Sequence, residues 1–146
     1  MSNVLETRWN DIGDKLVALA ESVPEESYDY RPVPEVRSFA EQLRHVAFWN
    51  EYLRDTLRGE EADGAANELP AREYPTRAEI LPALRESFAG VGAELANGGK
   101  KRGAIAGEKW LDLAVSYVDH AAEHYGQLVV YARLCGVVPP ASLAGV

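Results

Sequence analysis

Residues 110–135 read WLDLAVSYVDHAAEHYGQLVVYARLC, an apolar-rich run followed by Gly136 and the pair Pro139-Pro140. The pattern predicts one long helix, with Gly136 as its left-handed cap and the prolines barring continuation. At about 100° per residue, Leu113, Tyr117, His120, His124, Leu128 and Tyr131 fall on one stripe. Both histidines therefore take the middle of the core-facing seam, where leucine is the usual occupant. Positions four apart stand one above the other on a helix, so His120 and His124 present two imidazoles at the spacing that grips one transition-metal ion. The chain has only three histidines, and the third, His45, lies in another helical stretch. Such a pair with one distant partner makes a three-nitrogen site that keeps a fourth position for an exchangeable ligand. A lone histidine on an apolar face is more simply a packed residue satisfied by a hydroxyl or carbonyl. Two at ligand spacing, with the third on a separate helix, favour metal: the candidate ligands are His45, His120 and His124.

The rest of the chain supplies partners for that helix. Leu5, Trp9, Ile12, Leu16, Leu19 and Val23 alternate by fours and threes, the stripe of a bundle helix that Pro24 closes. Residues 28–37 carry Pro32 and Pro34, which push the residues before them towards extended backbone. Ser38-Phe39-Ala40-Glu41 then reads as a capping box. The helix it opens carries Phe39, Leu43, Val46, Leu53 and Leu57, with His45 at the edge of that face, and ends near Arg58-Gly59. The polar stretch 60–75 exceeds the 2–8 residues usual between bundle helices, which predicts a crossover along the bundle. Thr76-Arg77-Ala78-Glu79 is a second capping box, followed by Leu81, Leu84, Phe88, Val91 and Leu95 at helical spacing. Pro82 cannot donate to the carbonyl of Ala78, so an irregular first turn or a kink is expected there. Asn97-Gly98-Gly99 ends this helix, and Lys100, Lys101 and Arg102 form a small basic loop. With no strand signal of comparable strength, the fold expected is all-α: a single-domain four-helix bundle over residues 1–146, with a long crossover between helices 2 and 3.

Composition narrows the function. A chain of 146 residues with 47% hydrophobic and 26% charged residues is an ordinary globular domain that needs no disulfide. A single cysteine, Cys135, fits a reducing cytosol, and neither a leader pattern nor a membrane span is read. The net charge of −8 argues against a nucleic-acid partner, because phosphate binding needs a basic face.

His120-Ala121-Ala122-Glu123-His124 also matches the His-x-x-Glu-His pattern of inverted zinc peptidases, whose glutamate is a base. Those enzymes are far larger and take a downstream carboxylate as third ligand. Glu123 lies about 60° round the helix from His120, where it could support a ligand without touching the metal but reads more simply as a solvated residue.

Residues 38–59 and the run from His120 through Tyr125-Gly126-Gln127 to Pro139-Pro140 resemble the DinB-like superfamily of four-helix metalloproteins, and the Pro-rich connector before Ser38 fits it too. The resemblance implies a four-helix bundle with His45, His120 and His124 in its three ligand positions. It implies a divalent metal, with zinc or nickel expected, and often a homodimer. Members with known activities include bacillithiol- and mycothiol-dependent S-transferases and a thiol-dependent maleylpyruvate isomerase. The expected function is thus S-transfer to a small-molecule substrate from bacillithiol, mycothiol or another low-molecular-weight thiol activated on the metal. The alternatives are a hydrolase using metal-bound hydroxide and a non-catalytic metal-binding or interaction protein. Lys100, Lys101 and Arg102 would meet the carboxylates of a thiol cofactor if they were more than an exposed loop.

Overall fold

The computed structural model describes residues 4–97 and 107–143. Four long helices make the fold: α1 (Val4–Ser22), α2 (Phe39–Arg58), α3 (Arg77–Asn97) and α4 (Gly107–Leu134). Among the described residues there is no strand. The apolar stripes do what their spacing demands: Trp9, Leu16 and Leu19 of α1, Leu43, Leu53 and Leu57 of α2, Leu84 and Leu95 of α3, and Leu128 of α4 are all essentially inaccessible.

The helix ends follow their local chemistry. At α2 the capping box closes in both directions: Glu41 N–H donates to Ser38 Oγ (3.2 Å), and Ser38 N–H donates to the Glu41 carboxylate (2.6 Å). At α3 only half the expected box forms. Thr76 N–H donates to Glu79 (3.0 Å), but the Thr76 hydroxyl accepts from Ala78 N–H (3.2 Å). Gly59 and Gly136 both take left-handed backbone, with φ of 75° and 77°. At Gly136 the paired bonds of a Schellman cap are present, Val137 N–H to Ala132 O (2.9 Å) and Gly136 N–H to Arg133 O (3.0 Å). Pro82 sits inside α3 without ending it. Its ring and Ala78 are both exposed, so water can take the carbonyl that the missing N–H leaves free. Two expectations needed adjustment: α4 starts three residues before Trp110, and a short helix, α5 (Pro140–Leu143), follows the prolines. Proline at a first helical position has nothing to lose, since that N–H is unpaired anyway.

Cross-helix contacts give the topology. Trp9 on α1 donates to Phe88 O on α3 (2.9 Å), while Glu21, at the far end of α1, meets Arg77 and Arg85, so these two helices are antiparallel. Asn50 meets Ser87 (3.0 Å) and Arg58 meets Glu94 (2.7 Å), so α2 and α3 run parallel. Gln42 and His45 face Tyr131, His124 and His120 in reversed order, so α2 and α4 are antiparallel. Residues 60–75 must therefore return along the bundle, which is the crossover their length predicts. They lie on α2 as a strap: Arg44 pairs with Glu68 (2.7 Å), and Leu69 is buried.

Candidate metal centre

α2 and α4 bring His45, His120 and His124 together. One ring nitrogen from each lies within 4.8 Å of the others, and ring centroids are 4.6–5.3 Å apart. Among the described residues this is the one group of three or more His, Cys, Asp or Glu side chains so arranged. His45 is buried, not marginal to its helix as expected from its place at the edge of the apolar face. The α4 pair needs the opposite correction. The deepest line of α4 runs through Ala114, Ala121, Leu128 and Ala132, and both histidines stand half-buried on its flank. Small side chains let α4 approach its neighbours closely, which leaves the imidazoles beside the contact, reaching across to α2.

Outer partners fix which nitrogens point inward. His45 Nδ1 lies 2.7 Å from the carbonyl of Asn67, an atom that can only accept, so Nδ1 carries the proton and Nε2 keeps its lone pair. His124 Nδ1 lies 2.6 Å from Gln42 Oε1. The amide orientation is set by the next bonds: Gln42 Nε2 reaches Tyr131 Oη (3.5 Å), whose proton goes to Arg37 O (2.8 Å). His124 therefore also offers Nε2. His120 Nε2 is 3.3 Å from His45 Nε2, and its buried Nδ1 has no partner among the described residues. Either tautomer of His120 is unsatisfactory. Protonated at Nε2, it leaves a buried acceptor unmet; protonated at Nδ1, it leaves a buried N–H unmet and two lone pairs face to face. Each unmet group costs about 1–3 kcal/mol. A cation between the rings removes the lone-pair conflict, and tetrahedral bonds of ~2.0–2.1 Å would set neighbouring nitrogens ~3.4 Å apart. The donor set fits a divalent metal: three neutral imidazoles, two of them oriented by outer partners.

The electrostatics agree. Burial, then repulsion by neighbouring imidazoles and the Arg37 guanidinium, pushes His120 and His124 down to about 4. Burial also lowers His45, with the Asn67 bond opposing it. All three shifts favour the neutral, ligating form, so the window in which protons compete for these imidazoles sits lower than for ordinary histidines.

A family model described as the DinB superfamily matches residues 8–128, a span that includes all three histidines. The chain belongs to the DinB superfamily. No curated protein matches the chain. In this DinB-superfamily chain an open cleft of about 680 Å³ lies against His124, with Arg37, Gln42 and Tyr131 on its walls. On the other side of the histidines stand Trp49, Tyr52 and Tyr117. Burial raises the Tyr117 phenol to about 12, so it stays protonated.

Glu123 is exposed and outside the cluster. Residues 100–102 lie outside the described residues. Sequence reasoning missed Asn67, Arg37 and the orienting role of Gln42. Asn67 takes φ 58°, a backbone that asparagine tolerates better than most residues, but no pattern in the sequence marked it.

Proposed function

We propose that the chain is a divalent-metal-dependent enzyme of the S-transferase type, with the metal held by His45, His120 and His124. The observation that carries this reading is the convergence of three imidazoles, two of them oriented by outer partners, with an open cleft against His124. When bound, a divalent ion, with zinc or nickel the expected occupants, would supply the acidity that strips a proton from a low-molecular-weight thiol such as bacillithiol or mycothiol. The chain's residues do the rest. Asn67 and Gln42 hold two imidazoles in the ligating tautomer, the aromatic wall of Trp49, Tyr52 and Tyr117 keeps the far side apolar, and the cleft admits the small-molecule substrate. The transfer forms a carbon–sulfur bond, with the thiol proton released and the leaving group departing with its electron pair.

We further propose that the chain folds as one domain, works in the cytosol, consistent with its free Cys135, and pairs as a homodimer. Exposed Leu111, Val115, Val130 and Leu134 on α4 support the last point. Among the described residues no helix is long and apolar enough to cross a membrane.

Metal analysis of protein purified without a His-tag tests the site. Stoichiometric metal that is lost on replacing any of the three histidines supports it, and metal-free protein that cannot be loaded defeats it. A thiol-consumption screen run against hydrolysis of model esters then tests the chemistry. Ester turnover without thiol consumption would replace the transferase reading with metal-assisted hydrolysis.

A further inference from the structure

The arginines of this chain are mostly committed. Arg31, Arg44, Arg54, Arg58, Arg72 and Arg85 are in ion pairs, and Arg77 and Arg133 hydrogen-bond a carbonyl and a hydroxyl. Among the described residues only Arg8 and Arg37 have a side chain with no such partner. Arg8 is on the exposed face of α1, where water satisfies it. Arg37 is different: it is half-buried and lines the cleft that His124 also lines. Its backbone is held in place, because Arg37 O accepts the Tyr131 hydroxyl at 2.8 Å. Its charge is felt at all three imidazoles, each of which it disfavours as a cation. A guanidinium carried on an anchored backbone into the lining of a cleft, with its fork unused, is a place for an anion.

We infer that Arg37 binds the carboxylate of a small ligand whose other end reaches the three histidines. The cleft's size is that of a small-molecule site. Glu35 lines the same cleft, and its negative charge sets a ceiling on ligand charge: one guanidinium beside one carboxylate suits a monoanion better than a phosphate dianion. Gln127, exposed on α4 and also in the lining, can donate to the second carboxylate oxygen. The inference rests on the proposed thiol chemistry only for what the far end of the ligand carries. The carboxylate end stands on the cleft alone.

The test uses two thiols of similar length, 3-mercaptopropionate and 2-mercaptoethanol, on the wild-type chain, Arg37→Gln and Arg37→Lys. Amide shifts of Arg37, Ser38 and Gln127 in zinc-loaded protein report docking, and the charge-transfer band of cobalt-substituted protein reports sulfur on the metal. We expect 3-mercaptopropionate to bind wild type about tenfold tighter than 2-mercaptoethanol, a ratio worth ~1.4 kcal/mol. Arg37→Gln should bring that ratio to about one with the affinity for 2-mercaptoethanol unchanged, and Arg37→Lys should keep part of it. Both variants should fold, since the bond to Tyr131 uses the Arg37 backbone, and circular dichroism checks this. Equal affinities in wild type, or a preference that survives Arg37→Gln, would overturn the inference. Displacement of the probe by inorganic phosphate at lower concentration than by propionate would overturn the carboxylate assignment. A lasting shift preference without any cobalt–thiolate band would support the carboxylate site while removing the proposed thiol chemistry.

Discussion

His45 on α2 is 7% exposed and held by a backbone carbonyl, whereas His120 and His124 on α4 stand half-buried, with an open cleft against His124. The helices differ in the same way. α2 buries 11 of its 20 residues and α4 only 5 of 28, so α2 is framework and α4 presents chemistry to the outside. The lesson is that a cluster of three candidate ligands need not be uniform. One of them belongs to the core, and its loss should be felt by the fold. The other two belong to the surface of the bundle, and their loss should be felt mainly by whatever they bind.

The largest effect expected is on metal. Replacing any one histidine by alanine should lower zinc affinity by more than the ~10–100-fold typical of losing an outer partner, with helical content near wild type. Stability of the metal-free protein should separate the two helices. His45→Ala leaves a buried cavity and strands the Asn67 carbonyl, at a cost of about 2–4 kcal/mol, whereas His120→Leu removes an unpartnered nitrogen and should leave stability unchanged or higher. Metal content and denaturant melts on the same samples check both. Equal destabilisation by the two changes would break the comparison.

Next come the outer partners. Gln42→Ala frees the His124 tautomer and should cost ~10–100-fold in metal affinity. Asn67→Ala keeps the carbonyl but forces alanine into left-handed backbone and removes the acceptor of Trp49 Nε1 (2.8 Å), costing about 2 kcal/mol in all. Asn67→Gly, free of the backbone strain, should cost less.

A pH series sharpens the contrast further. The histidines' pKa values lie below the ordinary 6.5 when folded, with His120 and His124 at about 4. The unfolded chain thus binds more protons between those values, and stability of the metal-free protein should be full above about 6.5 and fall as pH drops towards about 4. Denaturation at a range of pH values should show that slope, and it should be shallower in His120→Leu. The smallest effect belongs to Glu123→Gln. An exposed side chain off the cluster should change neither metal affinity nor stability by more than ~0.5 kcal/mol, and a loss of metal would restore the peptidase-like reading.

The four helices were readable because caps and apolar periodicity are local: Ser38 and Glu41 are three residues apart, and Gly136 names its own φ. The crossover was readable from length alone. The three histidines were readable because two share a turn and the third has no competitor. What stayed hidden depends on packing between distant segments. The deep line of α4 runs largely through alanines, whose small apolar area marks a core face less strongly than the larger Leu113 and Tyr117 beside it. Asn67 sits in a polar stretch, and nothing near it in sequence says that its carbonyl faces an imidazole 22 residues earlier. Arg37 reads as one more surface charge until the fold sets it beside His124.

The order of the elements along the chain has a consequence during synthesis. A ribosome delivers α2, the strap and α3 before α4, so the growing chain carries one imidazole, already tied to Asn67 once the strap is down, and no partner for it. A single such nitrogen holds metal weakly. If the proposed site binds metal, tight capture would begin only when α4 has emerged and docked antiparallel to α2, which would make metal uptake a report that the bundle is complete and keep half-made chains from sequestering ions.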